Sequence, residues 1–195
     1  MFISTVSEEQ ASPELREVYE AGRAQFGFIP NYARAFSHRP AVYRAWTNLI
    51  SAITSNLDRR LYEIATVAAA RAQRSSYCTL AHGRALMRNH MTDDELLALV
   101  EGGDAAGLSP LEKAVVEFAE QVTRDASSVT QADVDRLKDL GLTDEAVLDV
   151  VLAVAARNFF ARVTDAVGAE PDAVFDELPA ALRDALTVGR SIAAE

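Results

Sequence analysis

Thr92-Asp93-Asp94-Glu95-Leu96-Leu97-Ala98-Leu99-Val100 and, 51 residues further on, Thr143-Asp144-Glu145-Ala146-Val147-Leu148-Asp149-Val150-Val151 are the stretches whose reading decides the fold. Each opens on a threonine able to cap a helix and continues with apolar residues at three- and four-residue spacing. Thr92-Asp93 falls on Thr143-Asp144, Leu97 on Leu148 and Val100 on Val151. Upstream the same offset holds without a gap: Leu57 on Leu108, Ile64 on Val115, Val67 on Phe118, Ala68 on Ala119 and Leu86 on Leu137. The unit reads as a helix, a connector, a short helix, a turn and a threonine-capped helix. Such units cannot bury their apolar faces alone, so they are expected to pack on each other or on copies from another subunit.

The remainder is helical too. Residues that favour strands are scattered and never alternate with polar ones between turn signals, so the fold class is all-α. A first helix is expected over residues 13–25, with Ser12 as cap, Pro13 at its first position, and Leu15, Val18, Tyr19 and Gly22 on one face. Gly27-Phe28-Ile29-Pro30-Asn31 breaks the pattern, and His38-Arg39-Pro40 starts a helix carrying Val42, Trp46, Leu49, Ile50 and Ile53. The tail after Gly168, with Pro171, Phe175, Leu178, Leu182 and Leu186, reads as one more helix and a frayed end. No linker divides the chain. A single domain is expected, with N-terminal helices in 1–56, a first repeat in 57–107, a second in 108–168, and a C-terminal helix and tail in 169–195.

Composition narrows the function. The 195 residues are 49% hydrophobic and 25% charged, ordinary for a globular chain and enough to bury about 70% of the unfolded surface. A net charge of −10 leaves too little positive surface for a phosphate backbone, so no nucleic-acid partner is expected. No apolar run reaches the ~18 residues of a membrane span; the longest, residues 146–156, is interrupted by Asp149 and followed by Arg157. The first nine residues lack a basic segment followed by an apolar one, so a cytoplasmic location away from the membrane is expected. With a single cysteine no intrachain disulfide can form, and the thiol is inert, capped by an external partner, or chemically used.

That cysteine lies where the two copies differ. The first has Arg74-Ser75-Ser76-Tyr77-Cys78-Thr79-Leu80-Ala81-His82, and the second has Asp125-Ala126-Ser127-Ser128-Val129-Thr130-Gln131-Ala132-Asp133. Ser75 or Ser76 suits an N-cap, which places Cys78 in a first helical turn, where the dipole and unpaired N–H groups favour thiolate. His82, four residues on, shares its face and could exchange a proton with it. Glu63, flanked by Val67 and Ala70 at helical spacing, is expected in a partly apolar setting as an orienter of His82; burial would raise its pKa and an imidazolium would lower it. Taken singly, a cysteine on an amphipathic helix is more often a packed small hydrophobe, and a lone histidine or glutamate a surface residue. Their grouping at a helix start is what marks the site. His38 and His90 read as structural, and one cysteine with scattered histidines has no zinc spacing, so neither metal nor cofactor is expected. Phe26, Phe28, Trp46, Phe159 and Phe160 read as core or pocket wall, with Asn158-Phe159-Phe160 near the site.

These features resemble the alkylhydroperoxidase D-like (AhpD-like), peroxidase-related branch of the carboxymuconolactone decarboxylase superfamily. The resemblance covers most of the chain: Gly27-Phe28-Ile29-Pro30-Asn31, His38-Arg39-Pro40, Glu63, Tyr77-Cys78-Thr79-Leu80-Ala81-His82, and Asn158-Phe159-Phe160-Ala161-Arg162-Val163-Thr164-Asp165-Ala166-Val167-Gly168. It implies an AhpD-like helical bundle built from a tandem repeat, assembled as a homo-oligomer. It also implies a peroxidase-related thiol oxidoreductase with Cys78, His82, Glu63 and Ser75 as site residues. In that family a glutamate, two cysteines separated by two residues and a histidine form a proton relay and a redox dithiol; here Ser75 holds the first cysteine's position. A hydroperoxide or other small-molecule substrate is therefore expected, with an external thiol as reductant. Two other readings stay open: decarboxylase-like proton transfer on a small acid by His82 and Glu63, and a non-catalytic helical oligomer with a degenerate site.

Overall fold

The computed structural model describes residues 1–101 and 107–194; the end of the first repeat, at 102–106, lies outside them. The helices are α1 (Pro13–Phe26), α2 (Asn31–Ala35), α3 (Pro40–Thr54), α4 (Arg59–Ala72), α5 (Ser76–Asn89), α6 (Asp93–Glu101), α7 (Pro110–Asp125), α8 (Gln131–Asp139), α9 (Asp144–Ala166) and α10 (Ala180–Leu186). Short 3-10 turns occupy Ala126–Ser128 and Ala173–Glu177.

The centre is α4. Every residue from Leu61 to Ala70 is buried, as a helix must be when neighbours enclose it on all sides. It packs on α5, α7 and α9, and its alanines at 65, 68, 69 and 70 leave room for them. Asp58 caps it, accepting from the Leu61 N–H at 2.9 Å, and Ser109 caps α7 in a reciprocal box with Glu112. Ser12 and Thr143 cap α1 and α9 as the sequence suggests.

Helix order recurs as α4-α5-α6 and α7-α8-α9. The outer members keep the 51-residue offset, Arg59 against Pro110 and Asp93 against Asp144. The middle members do not: α5 starts at Ser76, whereas α8 starts only at Gln131, after the 3-10 turn. The buried register also differs from the identities that reveal the repeat. Leu96 and Leu99 in α6, and Val147 and Val150 in α9, face the core, while Leu148 is 55% exposed.

The break read at 27–31 is present, and the expectation of a frayed tail is corrected. The break at 27–31 is a left-handed turn at Gly27 (φ 85), followed by the short α2. Asn31 at its start donates its N–H to Asp172 Oδ1 at 2.9 Å. The C-terminal segment does not fray over its described length. Gly189 donates its N–H to Ser76 Oγ at 2.7 Å, Thr79 Oγ1 donates to the Leu186 carbonyl, and Ala193 N–H reaches the Pro171 carbonyl at 2.9 Å. Gly189 must be glycine here, because a Cβ would lie 2.0 Å from the Arg74 carbonyl oxygen. No helix among the described residues is long and apolar enough to cross a membrane.

Candidate active site

The α4–α5 corner builds the site. After α4 the backbone passes through Arg74 in the left-handed region (φ 61), a conformation that non-glycine residues adopt at some cost. Ser75 N–H returns to the Ala70 carbonyl at 2.9 Å, and α5 begins at Ser76. Cys78 therefore stands in the first turn, and the antiparallel run of α5 along α4 carries His82 back to Glu63.

Glu63 and His82 meet directly. His82 Nδ1 lies 2.5 Å from Glu63 Oε2, and Arg59 Nη2 approaches Oε1 at 2.6 Å. Glu63 is 1% exposed. Burial works against its charge, but His82, Arg59 and Arg157 overcome it and hold the carboxyl below its ordinary value. His82 moves down as well, through burial first and the Arg157 charge second, against the pull of Glu63. The pair at neutral pH is thus carboxylate and neutral imidazole. An ionised carboxylate only accepts, so Nδ1 carries the proton and Nε2 keeps a basic lone pair.

Cys78 is 2% exposed, and Arg157 Nη1 of α9 donates to its Sγ at 3.4 Å. Arg157 is itself buried, lying 5.7 Å from the Trp46 ring centre and 5.5 Å from that of Phe160. Trp46 and Phe160 stack at 4.1 Å. Among the described residues no carboxylate pairs with Arg157. Burial opposes its charge, yet Cys78 and Tyr62 outweigh this and raise its pKa.

The structure thus brings Glu63 and His82 into contact and sets Cys78 against Arg157, whose charge also acts on both other groups. No hydrogen bond joins Cys78 to His82 among the described residues. Ser75 occupies the N-cap position without capping through its side chain; its buried hydroxyl faces the Asp165 carboxylate, whose charge it favours. His38 bonds the Ser4 carbonyl at 2.8 Å, and His90 ends α5; both are structural. Phe160 is core, 6% exposed, while Phe159, 44% exposed, lines a surface groove beside α3. Arg157 is the residue the sequence reading missed. Its signal was there, a lone cation inside the apolar run from Val147 to Phe160.

Residues 40–121 match the model of the carboxymuconolactone decarboxylase family, a span that includes Glu63, Cys78 and His82. The chain has the all-α AhpD-like fold, and the matched segment spans its central helices. The solved structures agree on that all-α architecture. An uncharacterized peroxidase-related protein from Ralstonia eutropha JMP134, described as an alkylhydroperoxidase AhpD core, aligns with TM-score 0.81 and 24% identity over 89% of this chain and 93% of its own. A peroxidase-related protein from Silicibacter sp. TM1040 gives 0.76 and 22% over 89% and 94%. A cysteine-to-alanine variant of the debrominase Bmp8, in complex with 2,3,4-tribromopyrrole, gives 0.73 and 18% over 95% and 96%. No curated protein matches the sequence. These likenesses show the fold of the chain.

Proposed function

We propose that the chain is a thiol oxidoreductase that reduces small hydroperoxides with Cys78 as its one redox thiol and Glu63–His82 as proton relay. The observation that carries this reading is the buried guanidinium of Arg157 against Sγ. The Glu63 carboxylate acts on this buried cation only from beyond ion-pair distance, an incomplete compensation that is costly, and negative charge on the sulfur offsets that cost. His82 Nε2 takes the thiol proton, and the resulting imidazolium stays paired with Glu63. The thiolate attacks the terminal peroxide oxygen: an S–O bond forms, the O–O bond breaks, sulfur is oxidised to sulfenic acid, and the departing alkoxide takes the proton from His82. One external thiol then displaces water from the sulfenic acid to give a mixed disulfide. A second releases Cys78 and leaves as the oxidised disulfide. Ser75 has no sulfur to resolve the intermediate, so the reductant is external. The burial of Sγ favours small oxidants over bulky ones, and the likeness to a debrominase bound to a pyrrole supports a small-molecule substrate.

One equivalent of peroxide followed by dimedone should give a sulfenic adduct on Cys78, detected by mass spectrometry. Oxidation no faster than that of a free thiol would overturn the proposal. The decarboxylase-like reading draws on the neutral His82 and its basic Nε2, acting on a small acid. In that case Cys78→Ser keeps turnover and His82→Ala loses it, the reverse of the thiol mechanism for Cys78.

A further inference from the structure

The helix that carries Cys78 and His82 has a second working face. Tyr77, Ala81, Arg84 and Arg88 form a stripe one residue out of step with the site, and they line a cavity of about 240 Å³. That volume is the liquid share of about eight waters. Its far wall is aromatic: Phe26 at the end of α1, Phe28 from the turn that follows, and Phe175 from the 3-10 turn before α10. Phe26 is 43% exposed at this cavity, and Arg84 lies 5.9 Å from the Phe175 ring centre.

The polar inventory is one-sided. Asp172, the carboxylate in the lining, already accepts from the Tyr77 hydroxyl and from the Asn31 N–H at its two oxygens. Asn89 spends an amide donor on the Ala85 carbonyl. What remains open is donors. Arg84 is 19% exposed and has a single long contact, 3.4 Å, with Glu177, which is 72% exposed. Arg88, one turn on, makes no hydrogen bond or ion pair among the described residues, and like charges at this spacing repel. Two adjacent guanidinium groups over an aromatic cavity, in a protein of net charge −10, are an unusual concentration of positive charge.

We propose that this cavity binds a small aromatic carboxylate, its ring among Phe26, Phe28 and Phe175 and its anionic end between Arg84 and Arg88. The ring replaces water on the apolar wall, and the carboxylate accepts the unpaired donors and relieves the repulsion between the two arginines. Glu177 competes for Arg84 and weakens binding.

Calorimetric titration with three probes at low salt tests this: phenylacetate, benzyl alcohol (ring without charge) and acetate (charge without ring). Phenylacetate should saturate one site, and each of the other two should bind at least about tenfold more weakly. Arg88→Gln and Arg84→Gln should each weaken phenylacetate by about tenfold, the loss of one charge-assisted contact. Glu177→Gln should tighten it. All three positions are at or near the surface, and thermal melts confirm that the variants fold. Absence of saturation, equal binding of acetate, or unchanged affinity in the Arg84→Gln/Arg88→Gln double variant would each overturn the assignment. Because binding is read directly, none of these outcomes depends on the reactivity of Cys78.

Discussion

Helices α5 and α8 follow equivalent helices, α4 and α7, yet only α5 is enclosed by the fold. From Ser76 to Leu80 every residue of α5 is buried, with Gly83 and Leu86 beyond. In α8 only Leu137 is. The two leucines at the common offset, Leu86 and Leu137, are 0% and 1% exposed and anchor each helix to its neighbours. The position of Cys78 corresponds to Val129 in the turn after the 3-10 segment. That of His82 corresponds to Asp133, whose carboxylate accepts from the Thr130 N–H at 2.8 Å. That of Glu63 corresponds to Ala114, 2% exposed. One anchoring leucine suffices to hold this helix on the scaffold. The additional turn of α5, and the buried polar groups facing it, serve the site.

Writing the second copy into the first is the hardest test of that division. Glu63→Ala, which installs the equivalent of Ala114, leaves Arg59, Arg157 and His82 around a missing carboxylate. It should lower unfolding stability by about 3–5 kcal/mol, measured by denaturant titration; a loss below about 1 kcal/mol would mean the pair contributes little to folding. Arg157→Met should slow sulfenic acid formation on Cys78 by about tenfold or more. Its stability should change little, since an apolar side chain of similar size can replace a buried cation without net loss.

Acid should separate the copies further. His82 and Glu63 both have folded pKa values below their ordinary 6.5 and 4.5, so the folded state binds fewer protons than the unfolded one in those windows. The stability they contribute is complete above 6.5. It is lost in one step as pH falls below 6.5 toward the folded value of His82, and in another below 4.5 toward that of Glu63. Thermal midpoints across pH should show both steps in the native chain, and His82→Gln should remove the upper one. The smallest effects concern caps. Ser109→Ala breaks the box on α7 and should cost about 1 kcal/mol. Ser75→Ala removes the hydroxyl that supports the Asp165 carboxylate and should cost about 1 kcal/mol or less, read by denaturant titration.

Much of this was legible because it is local. Ser12, Pro13 and Thr143 mark their helices through hydrogen bonds to the next turn, and the repeat shows in apolar spacing. The pairing of Glu63 with His82 was readable because both lie on helices joined by one short corner. The contact of Arg157 with Cys78 was not, since the two are 79 residues apart and periodicity does not name tertiary partners. The direction of the Glu63 shift was equally closed to sequence, because it depends on how Arg59 and Arg157 converge on one carboxylate. The tail misled for the same reason: a terminal segment rich in small residues looks loose until its contact with Arg74 and Ser76 is known.

That contact has a consequence for how the chain matures. The corner that opens α5 is closed by Leu186 and Gly189, more than a hundred residues downstream. During synthesis from the N-terminus, α4 and α5 emerge early, and the clamp over Arg74 and Ser76 becomes available only after more than a hundred further residues have been added. A nascent chain therefore carries its only thiol in an unclamped corner until Gly189 has left the ribosome.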